Sequence, residues 1–266
     1  MTLKKVIWHL GFQKTGTTFI QRLLDDNEQQ VSSRVFLANK GERTKLIRRR
    51  GVGFCELKNR NALRRLRSEL QVLRAAFDDS GHLTMLFSDE VVMGYNVLSE
   101  RNDFVQSAVR LLPVLAQEFD GYQSTFVFYT RAFDPWTLSV YNQGVKALAY
   151  HRRFEDWRAL YRGPTDWSQI LRFMEKNTGC SIQMIPMERD GEPFLGAELL
   201  RRAGFSEGEI RAFSVPVRQN ESMPDGALHL LRIFNSSGLD AGTLSLVRRK
   251  IRKHPQFFVD RISDDK

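Results

Sequence analysis

Short continuous apolar runs alternate along the chain with longer stretches in which apolar residues recur every three or four positions. Residues 4–11 (KKVIWHLG) are rich in β-branched and apolar side chains and stop at Gly11, which predicts a buried strand. The runs HLTMLFS (82–88), QSTFVFYT (123–130) and CSIQMIPM (180–187) predict three more. Between them the period changes. Phe19, Ile20, Leu23 and Leu24 give one apolar face to a helix from about Gly16 to Asp25. Leu63, Leu66, Leu70, Leu73 and Phe77, with Arg64, Arg65, Arg67 and Arg74 interleaved, predict an amphipathic helix over 61–77. A helix from about Asp103 to Glu118 carries Pro113, which predicts a kink or break. Asp134-Pro135 reads as an N-cap and a first-turn proline for a helix running to about Tyr150. Further helices are expected at 166–176 and at roughly 193–203, 225–235 and 240–253. Residues 27–60 are polar and contain Gly41, Gly51 and Gly53, so loops with short elements are expected there.

Strand–helix repeated four times, then helices, argues for an α/β fold with a parallel sheet covered on both faces. The 266 residues, 42% of them hydrophobic, suit one globular domain with a large core, or one domain carrying a small helical appendage. No repeat, low-complexity segment or linker divides the chain. A surplus of 40 Lys and Arg over 31 Asp and Glu, net +9, favours an acidic partner such as nucleic acid, anionic lipid, an anionic glycan or a phosphorylated cofactor. The runs Arg48-Arg49-Arg50 and Arg248 to Lys253 read first as solvated faces. With only Cys55 and Cys180, a disulfide scaffold is unlike this chain, and a reducing compartment fits better. No apolar stretch reaches membrane-span length. The opening MTLKKVIWHLGF is broken by His9 and has no small-residue cleavage site, so a cytoplasmic location is expected.

The most informative stretch is Gly11-Phe12-Gln13-Lys14-Thr15-Gly16-Thr17-Thr18-Phe19, between a buried strand and an amphipathic helix. A helix start there offers free N–H groups and a positive dipole end to an anion. Lys14 adds a mobile charge, and Thr17 and Thr18 add hydroxyls. The nucleoside-triphosphatase P-loop places Lys after the last Gly, whereas here Lys14 precedes Gly16. The order Lys-Thr-Gly-Thr-Thr resembles the 5′-phosphosulfate loop of sulfotransferases that use 3′-phosphoadenosine-5′-phosphosulfate (PAPS). That resemblance implies a P-loop-like sulfotransferase fold. It also implies PAPS as co-substrate with 3′,5′-ADP as product, bound by Gln13, Lys14, Thr15, Gly16, Thr17 and Thr18. No metal is expected. A second family signature is an Arg at a later strand end with a Ser eight positions on, matched by Arg131 and Ser139, which implies a grip on the 3′-phosphate. Trp136 to Lys146 is similar to the bacterial branch.

The second strand ends Ser88-Asp89-Glu90, at the edge where side chains of a parallel sheet reach a ligand. The heparan-type branch of the family implies Glu90 as general base and Lys14 as stabiliser of the leaving oxygen. Asp89, His9 and His82 are the alternative bases. On this reading residues 1–150 hold the cofactor core of a single domain spanning 1–266, and 151–266 complete the sheet and shape the acceptor side. The implied acceptor is a small molecule or a glycan, with an anionic one compatible with the basic charge. Neither nucleic acid nor a membrane span is expected. The competing readings are a P-loop kinase or nucleotide hydrolase, for which LTMLFSDE resembles a Walker B strand, and a non-catalytic polyanion-binding protein. Asn220-Glu221-Ser222 reads as a turn before Pro224.

Overall fold

Five runs pair as parallel strands: β1 (Lys5–His9), β2 (Phe36–Asn39), β3 (Thr84–Ser88), β4 (Gln123–Thr130) and β5 (Ile182–Pro186), in spatial order β2-β3-β1-β4-β5. The architecture comes from a computed structural model that describes residues 3–94, 104–160, 165–217 and 223–258. The sheet register aligns His9 with Ser88 on one side and with Val127 on the other. Four of these strands are those expected from the apolar runs; β2 is an addition.

The connections set which face each helix covers. From β1 the chain passes through α1 (Thr17–Asp26) and α2 (Glu28–Ser32) outward to β2. It returns through α3 (Glu42–Leu57) and α4 (Arg60–Asp79) to β3, then crosses β1 by way of α5 (Phe104–Glu118) to β4. Crossovers of a single hand must put outward and inward helices on opposite faces. The cores agree. Ile20, Leu23 and Leu24 of α1 pack with Ile7, Leu86, Val127, Tyr129 and Ile185 on one face. On the other, Trp8 packs its ring against Phe87, Phe119 and Phe126, and Phe36 meets Phe77 of α4. A sheet buried on both faces explains why its strands read as continuous apolar runs.

Three local expectations change, the first being that residues 42–57, expected as loops with short elements, form the 16-residue helix α3. α5 runs through Pro113 without ending, because Leu111, Leu112, Val114 and Leu115 on either side are all buried and their packing outweighs one missing N–H. α6 (Phe133–Ala147) begins one residue before Asp134, which puts Asp134 in the first turn, and it stops short of Tyr150.

The chain divides into two compact units, Met1–Trp136 with Gly163–Val217, and Thr137–Arg162 with Arg218–Lys266. The first unit holds the whole sheet, together with α8 (Trp167–Thr178), α9 (Ala197–Arg202) and α10 (Glu207–Arg211). The boundary thus runs inside α6 and brings β5 back beside the N-terminal strands. The second unit is built from the rest of α6, α7 (Phe154–Leu160), α11 (Asp225–Ser236) and α12 (Ala241–Lys253). Its core gathers Tyr141, Val145, Ala227, Leu228, Leu231 and Ile251. Asn235 ties this unit by donating to the carbonyls of Val145 (2.9 Å) and Tyr150 (2.8 Å).

Candidate active site

The topology alone locates a crevice. The chain leaves β1 toward one face, while its neighbours β3 and β4 leave toward the other. Loops that part in this way open a cleft at the carboxyl ends of the strands, and in open α/β sheets ligands sit there.

The turn that follows β1 is braced at every step. Leu10 N–H donates to the Val127 carbonyl at 3.2 Å, and the Thr15 hydroxyl donates to the Phe12 carbonyl at 2.5 Å. Thr15 therefore spends its side chain on closing the turn. Gly16 caps α1 at φ +85° with no side-chain partner for the helix start. Phe19 N–H donates to the Gly16 carbonyl at 2.9 Å, which leaves the Thr17 and Thr18 amides without a cap partner at the start of α1. Thr17 is buried and Thr18 is exposed. Lys14 itself sits at φ +67°, a left-handed conformation that costs a residue with a β-carbon about 1–2 kcal/mol. Strain of this kind collects at functional sites.

Gly16 is required for a second reason. A β-carbon there would stand 2.5 Å from Leu195 Cδ2, in a packed core. Gly16→Ala is expected to lower unfolding free energy by roughly 2–4 kcal/mol, from backbone strain and overpacking together. Urea unfolding of the variant measures it.

An aromatic block beneath the turn joins it to the end of β4. Phe12 stacks on Phe128 and Trp167, and Trp136 lies 4.6 Å from Trp167. Trp136 Nε1 donates to the Gln13 carbonyl at 2.9 Å, and Trp167 Nε1 donates to the Arg131 carbonyl at 2.6 Å. The two backbone segments that carry Lys14 and Arg131 are thereby fixed to one rigid body. Burial, and then the Arg131 charge, hold the Lys14 ammonium below its ordinary pKa. The two cations therefore sense each other across the cleft. Among the described residues no hydrogen bond or ion pair neutralises either side chain. Two half-buried, unneutralised cations held in mutual repulsion call for an anion.

The two carboxylates after β3 part company. Asp89 turns toward α3, where Thr44 Oγ1 donates to it at 2.8 Å and Arg48 Nη1 at 3.0 Å, while its other oxygen accepts from Val91 N–H at 3.1 Å. Burial raises its pKa. Glu90 turns toward α1. Lys40 Nζ lies 2.6 Å from Oε1, and Gln21 Nε2 donates to Oε2. Burial pushes Glu90 upward, but the Lys40 charge and the hydrogen bonds from Lys40 and Gln21 outweigh it, and its pKa ends below the ordinary value. Glu90 is thus ionised and oriented, and it lies on the α1 side of the cleft.

His9 is buried under the turn, with Nδ1 2.8 Å from Ser88 Oγ and its ring edge-on to Tyr129. Burial pushes its pKa down to about 4, partly opposed by the Glu90 charge. The unfolded chain then binds more protons than the native one between the two values, so stability rises with pH across that window. From this group alone, unfolding free energy is expected to fall by about 3 kcal/mol as pH drops from 6.5 to 4. The difference between the wild type and His9→Gln over that range isolates it.

His82 precedes β3, at the opposite sheet edge, and its Nε2 is 3.1 Å from the Ser32 carbonyl, so it is no rival base. Ser139 is half-buried on α6, in the second unit. Arg48 to Arg50 lie within α3, where Arg48 pairs with Asp89 and only Arg49 is exposed. The run Arg248 to Lys253 forms the last turns of α12, where Arg248 donates to Asn235 and the other four basic residues are exposed. Asn220-Glu221-Ser222 lies outside the described residues. Sequence reasoning passed over Gln21, Lys40, Ser88 and Tyr129. A glutamine on the apolar stripe of α1, one position from Ile20, was the signal for the first.

Among the described residues no group of three His, Cys, Asp or Glu side chains could hold a metal ion, and no helix is long and apolar enough to cross a membrane. A scan of protein-family models, a search of curated proteins and a search of solved structures each return no match.

Proposed function

We propose that this chain is a PAPS-dependent sulfotransferase of P-loop-like fold, moving a sulfuryl group to a hydroxyl or amine acceptor. The observation that carries the reading is the pair of unneutralised cations, Lys14 and Arg131, held on one aromatic block at the mouth of an α-helix start. The donor set fits an adenosine bisphosphate. The α1 amides and the Lys14 ammonium suit the 5′ end, and the planar fork of Arg131 suits a 3′-phosphate. PAPS, when bound, supplies an activated sulfuryl group. Lys14 stabilises the negative charge that grows on the departing oxygen. Glu90, kept ionised by Lys40 and aimed by Gln21, takes the acceptor's proton.

Asp89 argues against the kinase or nucleotide-hydrolase reading. Its oxygens are committed to Thr44, Arg48 and the Val91 amide, so it serves to hold α3 and the turn after β3 in place. Thermal unfolding separates the two readings. At a hundred times its Kd, 3′,5′-ADP is expected to add about 2.7 kcal/mol of stability, with Mg-ATP adding none. Stabilisation by Mg-ATP alone would support the kinase reading. Transfer from labelled PAPS to a panel of sugars, phenols and amines then identifies the acceptor.

A further inference from the structure

We propose that His9 is a further binding residue of this site, presenting Nε2–H to an oxygen of the anion held in the turn at Gly11 to Gly16, in the tautomer set by Ser88. The proposal rests on the reading of that turn as an anion site.

The imidazole is held on two sides: Ser88 Oγ lies 2.8 Å from Nδ1, and the Tyr129 ring stands edge-on. Nε2 is buried and has no hydrogen-bond partner among the described residues. Its position is informative. A β-carbon placed on Gly11 would stand 3.5 Å from Nε2, so the atom lies against the inner wall of the turn. Neighbouring polar groups are already engaged. The Glu90 oxygens hold Lys40 and Gln21, and the Tyr129 hydroxyl donates to Asp190 at 2.6 Å. Thr17 presents its methyl group to Gly11.

Native proteins seldom leave a buried ring nitrogen unpaired, and one that is left beside a phosphate-shaped turn has a partner in waiting. A Ser88 hydroxyl donating to Nδ1 leaves the single imidazole proton on Nε2. Burial keeps the ring neutral near pH 7. It can therefore donate one hydrogen bond to an oxyanion without adding a third positive charge beside Lys14 and Arg131.

The test is a titration of isotope-labelled, full-length protein with 3′,5′-ADP. It is followed by long-range proton–nitrogen spectra of the imidazoles, with calorimetry reporting binding in parallel. The expected result is a His9 ring protonated at Nε2, whose Nε2 resonance moves in step with binding. His9→Phe, with its melting transition intact, should weaken 3′,5′-ADP by about tenfold. Binding seen by calorimetry while the His9 nitrogens stay unmoved, or an Nε2 without its proton in the complex, would overturn the proposal and leave the cofactor reading standing. If 3′,5′-ADP does not bind at all, inorganic sulfate becomes the probe. A sulfate-dependent shift at Nε2 would then sustain His9 as an anion donor while the cofactor reading falls, and no shift would overturn both.

Discussion

Lys14→Ala is expected to lose about 10²–10³ in turnover with labelled PAPS, the cost of deleting one preorganised charge at the departing oxygen. The size follows from its surroundings. The ammonium is half-buried, next to Arg131, and without a carboxylate to neutralise it. In such a place a positive charge acts at close to full strength on growing negative charge. The fold should not suffer, because Lys14 contributes no hydrogen bond to it and is strained by its own backbone. Lys14→Gly sharpens the point. It should lose as much turnover as the alanine variant, yet gain up to about 1 kcal/mol in unfolding free energy, since glycine meets φ +67° without penalty and gives back part of that gain in the unfolded chain. A variant that is more stable and nearly inactive separates a chemical role from a structural one. Near-normal turnover in both variants would remove Lys14 from the mechanism.

Glu90→Gln should preserve 3′,5′-ADP binding and reduce transfer by about 10²–10⁴. The substitution keeps the shape and one acceptor oxygen for Gln21 or Lys40, but it removes the group proposed to take the proton. The pH dependence has a sign of its own. Lys40 and Gln21 outweigh burial and hold the Glu90 pKa below that of an ordinary glutamate, so this carboxylate stays ionised through the mildly acidic range. The acid limb of the transfer rate assigned to Glu90 should accordingly lie below that of an ordinary glutamate, and Lys40→Met should move it upward. A rate profile measured on the enzyme–PAPS complex reads both. An unshifted limb in Lys40→Met would assign the base elsewhere.

Much of this was legible in the chain because burial on both faces turns strands into apolar runs. β1, β3, β4 and β5 announce themselves in this way, and the turn between β1 and α1 does so by its Lys-Thr-Gly-Thr-Thr order. β2 did not, since four residues following a polar stretch carry too little pattern to separate from a loop. α3 was masked by its own composition. Three consecutive arginines and two glycines look like a surface loop, yet Gly51 is there because Val92 lies too close to admit a β-carbon. At the site, Lys14, Arg131 and Glu90 could be singled out by their places at strand ends. Lys40, Gln21 and Ser88 could not, because their roles depend on which strands become neighbours. Trp136 and Trp167 read as generic core, and only their indole N–H groups, aimed at the Gln13 and Arg131 carbonyls, reveal a second duty.

That pair of indoles makes the cleft a caliper. Both jaws are bolted to the same block of rings, so the spacing of the two backbone segments is set during folding, while the side chains that carry the charges keep their own rotamers. On the reading proposed above, a ligand is sorted by the span between its anionic ends, and one whose phosphate sits on a different ribose carbon would fit that spacing less well. Changing that span would require recutting the aromatic block itself, which ties the choice of ligand to the stability of the whole sheet.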